Sequence, residues 1–113
     1  MTTLVTGTIT FPDNAENFSG ATLYITLEAN APIGMPPEIA AQMVMRDVAY
    51  TGSPLAFTLA GDDVGTGGRY NLRVHISMDG SQEFDKGDYI TKSTHTVLQN
   101  GAPDSATIAI ERV

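Results

Sequence analysis

The sequence predicts an all-β protein, a single small antiparallel β-sandwich of about seven strands in the immunoglobulin or transthyretin-like manner. Three observations carry this expectation. Apolar and polar residues alternate with a period of two in several segments, which is the spacing that puts them on opposite faces of a strand. Turn-forming residues separate these segments at intervals of about 8–15 residues, as expected of short strands folded back on one another. Thr, Gly and Pro are frequent while charged residues make up only 17% of the chain, a composition that favours strands and tight turns over helices.

Residues 69–80, RYNLRVHISMDG, state the pattern most fully. Tyr70, Leu72, Val74, Ile76 and Met78 form an expected dry face, with Asn71, Arg73, His75 and Ser77 on a wet one. Asp79-Gly80 follows, a pair that tolerates the positive φ angles of a tight reversal. Residues 4–11 set Val5, Gly7, Ile9 and Phe11 against Thr6, Thr8 and Thr10, until Pro12 removes a ladder donor. Residues 21–28 place Leu23, Ile25 and Leu27 inward. The Pro- and Gly-rich stretch 29–37 cannot hold a ladder, and its Ile33 and Met35 are expected beneath the sandwich rim, with an exposed partner-contacting loop as the alternative. Residues 38–50 contain good helix formers, with Ile39, Met43 and Arg46 along one helical face. A strand over 41–48 is preferred, with Gln42, Val44, Arg46 and Val48 on one face and Met43, Met45 and Asp47 on the other. Residues 55–59 put Leu55, Phe57 and Leu59 inward. A return strand is expected over 89–98, a turn at 100–104, and a closing strand over 105–113 with Ala106, Ile108 and Ile110 in one register.

A chain of 113 residues has room for one domain, assigned here to 1–113, which buries roughly two-thirds of its unfolded surface. Its net charge of −7 repels phosphate backbones and anionic lipid, so a nucleic-acid partner is not expected. With no cysteine, disulfides, zinc-thiolate sites and thiol chemistry are excluded. No apolar run is long enough for a membrane-spanning helix. The opening MTTLVTGTITF lacks the basic and apolar regions of a secretory signal.

Chemistry-bearing motifs are sparse. The glycine-rich segment 61–68, GDDVGTGG, lacks the Lys-Ser/Thr ending of a phosphate loop and precedes a strand. His75 and His95, the two histidines, are expected on neighbouring strands as solvated side chains, since two imidazoles without a third ligand do not make a zinc site. No G-x-S-x-G elbow is present. Asp79, Ser81, Glu83, Asp85 and Asp88 offer hard oxygen ligands at short spacing. They miss the spacing of a calcium loop, and Lys86 sits among them, so a solvated acidic hairpin is expected. No catalytic, cofactor-binding or metal-ligating residue is assigned, and no cofactor is expected.

The strand VTGTITF (5–11), the span from Ile39-Ala40-Ala41-Gln42 to Pro54-Leu55-Ala56-Phe57-Thr58-Leu59, and residues 69–80 with the closing THTVLQNGAP (94–103) together resemble the YbaY/YscW-type lipoprotein family, named for type III secretion lipoprotein chaperones. These motifs are structural. The resemblance implies an all-β sandwich throughout, hence a strand at 39–48. It implies a non-catalytic accessory domain of the bacterial cell envelope, whose secretion branch helps an outer-membrane ring protein reach its place. A protein partner is expected. The expected location is periplasmic or outer-membrane-associated if a leader has been removed, and cytoplasmic otherwise. The alternative is a calcium- or carbohydrate-binding sandwich module using the acidic 79–88 loop. An enzyme on a transthyretin-like sandwich fits poorly, because those hydrolases carry a Y-R-G-S tail and this chain ends IERV.

Overall fold

The computed structural model describes residues 2–29, 34–36, 38–61, 70–80, 86–92, 95–98 and 104–113. Among them lie eight strands and no helix: β1 (Thr2–Thr10), β2 (Phe18–Ala29), β3 (Glu38–Tyr50), β4 (Leu55–Gly61), β5 (Tyr70–Ser77), β6 (Tyr89–Thr91), β7 (His95–Val97) and β8 (Asp104–Arg112). The all-β expectation is met. Two separate layers are not seen among the described residues. The strands follow one hydrogen-bonded path, β3-β2-β5-β6-β8-β1-β4, with β7 beside β5, and this single sheet curls nearly into a barrel. Its two ends approach each other where Gly61 of β4 meets Ala41 of β3; a Cβ on Gly61 would lie 3.2 Å from that of Ala41. Nor is the sheet wholly antiparallel, since β1 and β8 run parallel from Val5↔Asp104 to Thr10↔Ala109. Curling has a local cause. The long β2–β3 ladder shifts register at three places, and such bulges bend and twist a strand pair.

Residues 38–50 form one strand throughout, so pairing with β2 overrides the helical propensity of EIAAQMVMRD. Ala41, Met43 and Met45 stand opposite the inward Leu27, Ile25 and Leu23. Asp47 has φ 56°, a left-handed conformation that interrupts the alternation. Behind it Val48 is buried, whereas Gln42, Val44 and Arg46, expected on its face, are exposed. The predicted return strand is divided into β6 and β7 by a bend at Lys92. It closes on Leu98, whose φ is 65° and whose N–H donates to Asp104 Oδ2 at 2.8 Å.

The inward sets read from β1, β2, β4, β5 and β8 converge on one core that includes Val5, Ile9, Leu23, Ile25, Phe57, Leu59, Leu72, Val74, Ile76, Ile108 and Ile110. One end of the barrel is plugged by aromatic rings from four segments. Phe11 stacks on Tyr50 at 4.0 Å and meets the edge of Tyr89 at 5.5 Å, and Phe18 stacks on both tyrosines at 6.0 Å. Met78 departs from its expected face and is exposed just past β5. Met35, expected under a rim, is exposed as well. Ile33 lies outside the described residues.

Candidate functional site

β5 lies inside the sheet, with β2 on one side and β6 and β7 on the other. Register therefore carries its outward residues into rows that cross the barrel surface: Val44, Tyr24, His75 and Ile90 occupy consecutive strands at one level. The His75 ring stacks on that of Tyr24, 5.7 Å between centroids and 23° between planes. Its Nε2 lies 3.0 Å from Asp88 Oδ2, while Asp88 Oδ1 accepts the Met78 N–H at 2.9 Å. The Asp88 carbonyl accepts the Val113 N–H at 2.8 Å. Tyr24 Oη donates to the Gly80 carbonyl at 2.7 Å, and Ser77 Oγ donates to Asp79 Oδ1 at 2.9 Å.

Two expectations are corrected here. His75, assigned to the wet face, is only 7% exposed, and Asp88, assigned to a solvated acidic hairpin, is 1% exposed. The physical reason is that the β5–β6 connection folds back onto the outer face at both of its ends. It leaves Met78 N–H and the imidazole facing a carboxylate that can satisfy both. A buried charge is tolerated when it is paired and hydrogen-bonded in this way. Gly80 has φ 83°, as the Asp-Gly turn predicted. The period-two pattern could not report this burial, because it says which side a residue faces and not what later covers that side. In the acidic run SQEFDKGD nothing in the sequence sets Asp88 apart from the other carboxylates.

The other sequence candidates do not join this cluster. His95, half-buried on β7, stands opposite Leu72, three residues along β5 from His75. Asp79 contacts Ser77, Lys86 is exposed, and Ser81, Glu83 and Asp85 lie outside the described residues, as do 62–68 of the glycine-rich segment. Among the described residues no group of three or more His, Cys, Asp or Glu side chains is arranged to hold a metal ion. What the Tyr24–His75–Asp88 arrangement can do on these contacts is fasten a connection to a sheet. Tyr24→Phe keeps the ring stack but removes the 2.7 Å bond, and should lower unfolding stability by about 1 kcal/mol in urea titrations.

Two further surfaces are laid out by the sheet. Over β1, a shallow cavity of about 540 Å³ is lined by Thr6, Thr8, Ala56, Thr58, Ser105 and Thr107, with the backbone at Gly7 as part of its floor. Its hydroxyl and methyl groups carry no charge. The second is β3, a terminal strand whose ladder is with β2 alone among the described strands. It exposes Ile39 (62%), Val44 (43%) and Met45 (43%), and Met35 stands exposed shortly before it. Apolar side chains so gathered mark a contact surface more often than scattered ones do.

These features define the class first: a small all-β protein whose one sheet is nearly closed, with a fastened β5–β6 connection and an apolar terminal strand. Within that class its fold is similar to that of an alternative pilotin from the type II secretion system of Vibrio cholerae. The TM-score is 0.70, with 19% sequence identity, over 96% of this chain and 95% of that one. No family model matches the sequence. No curated protein matches it either.

Proposed function

We propose that this chain is a non-catalytic accessory domain of the bacterial cell envelope that binds a protein partner, in the manner of pilotin- and YbaY/YscW-type proteins. The observation that carries the reading is the likeness to a secretion-system pilotin along nearly the full length of both chains. The sequence resemblance, drawn from other features, leads to the same kind of protein. A single domain over 1–113 and an envelope location belong to this reading, and no catalytic or cofactor residue does. Exposed apolar side chains on β3 support a protein contact there, since a strand at the end of a sheet offers both side chains and unpaired backbone to a partner. The calcium or carbohydrate alternative gains no support from Asp88, both of whose carboxylate oxygens are engaged within the fold.

The test is capture from a detergent-solubilised envelope extract of the source cells by the immobilised domain. The expected result is specific retention of a secretion-system protein, lost with Val44→Asp, which places a charge in the strip while leaving the core untouched. Retention of no such protein, or retention indifferent to Val44→Asp and to Ile39→Asp, overturns the reading or its placement on β3 respectively.

A further inference from the structure

We propose that Met45 is a reversible oxidation switch on β3, at which a hydroperoxide converts the thioether to a sulfoxide and loosens the strand. The chain has five methionines and no cysteine, so its oxidisable sulfur is all thioether. Met35, Met45 and Met78 are exposed, and Met43 is half-buried. Exposure decides which thioethers a small oxidant reaches, but of the exposed three only Met45 stands on the inner face of a strand. Met35 precedes β3 and Met78 follows β5, so an oxygen added to either meets water. Met45 is paired with Leu23, which sets its Cβ about 5 Å from that of a side chain only 1% exposed. It is the last inward residue of β3 before the register slips against β2 at the left-handed Asp47. There it is 43% exposed, whereas Leu23, Ile25 and Leu27 across the ladder are buried. Met45 is thus open to an oxidant and laid against apolar neighbours at once.

The step needs no reactant beyond the peroxide. The sulfur lone pair attacks one oxygen of hydrogen peroxide, the O–O bond breaks, and the departing hydroxide takes the proton of the transferred oxygen and leaves as water. Sulfur is oxidised by two electrons and the peroxide is reduced by two. The product is a polar side chain where an apolar one stood. Its oxygen is an acceptor beside Leu23 and Met43, neither of which can donate to it, and a polar group covered without a partner costs stability. Among the described strands β3 is held by β2 alone, through a ladder interrupted three times, so the loss falls on this strand before it falls on the sheet. Ile39 and Val44 ride on the same strand, so oxidation also disturbs the strip assigned above to a protein partner. The inference rests on the proposed function for that consequence alone.

The test exposes the purified chain to hydrogen peroxide and maps the added oxygen by peptide mass spectrometry. Met35, Met45 and Met78 should be converted before Met43. Conversion should lower Tm by about 5 °C and speed hydrogen exchange of the β3 amides at least about fivefold. Methionine sulfoxide reductases of both epimer specificities, with dithiothreitol, should reverse both changes. Met45→Leu, which keeps an apolar side chain of similar volume, should abolish the loss, whereas Met35→Leu with Met78→Leu should leave it in full. Met45→Gln should reproduce the loss without peroxide. Conversion of Met43 ahead of Met45 overturns the proposal. So does a loss that persists in Met45→Leu, or an unchanged Tm and exchange rate once Met45 is converted. Because only the purified chain is used, this result and the envelope capture can fail independently.

Discussion

Asp88→Ala is expected to lower the unfolding free energy by about 3 kcal/mol, which for a domain of this size lowers Tm by on the order of 10 °C. The substitution removes the partner of His75 Nε2 and the acceptor of the Met78 N–H together, at a site only 1% exposed. Both donors are left where water reaches them poorly, and an unsatisfied buried donor costs more than the net gain of the bond it has lost. Denaturant titration followed by circular dichroism measures the effect. His75→Ala and the double variant complete a cycle. The two losses should not add, because either change alone removes the His75–Asp88 contact. A loss under about 1 kcal/mol for Asp88→Ala would show that the connection stands without its carboxylate.

Gly7→Ala is expected to be comparably damaging, at about 3 kcal/mol. Gly7 is held between two neighbours, paired with Phe57 of β4 and with Ala106 of β8. A Cβ at this position would collide with the Ala106 carbonyl oxygen and lie 2.9 Å from the Phe57 ring. The ring can turn aside; the carbonyl belongs to the parallel β1–β8 ladder and cannot move without breaking it. Adding Phe57→Leu to Gly7→Ala should therefore recover little of the loss. Substantial recovery would mean that the ring, and not the backbone, sets the requirement. Gly7 thus has a specific role at the parallel junction where β8 closes against β1.

Alternation made the strands themselves legible. The inward residues of β2, β4 and β8 were readable because each strand keeps one face against the core for most of its length, so the period of two survives intact. Residues 38–50 were harder, since helix propensity and strand alternation compete there, and pairing with β2 decides between them. The rule failed at particular places with particular causes. Val48 returned to the core because Asp47 turned left-handed, and Met35 and Met78 lay beyond the ladders that would have covered them. His75 was placed on the correct face of β5, yet that face proved covered. Of the candidate site, then, the sequence reading singled out His75, Asp88 and the Asp79-Gly80 turn but neither Tyr24 nor their meeting.

On its own the sequence determined that this is an all-β protein, where most of its strands run, and which side of each strand is apolar, because those properties reside in residue spacing and local turn chemistry. The tertiary structure alone decided that the strands make one nearly closed sheet with a parallel seam, that Asp88 is buried against His75, and that β3 leaves Ile39, Val44 and Met45 exposed. Those outcomes depend on which distant strands pair and on what folds back over them, and a period of two is the same whether a strand lies in a sandwich or curls into a barrel.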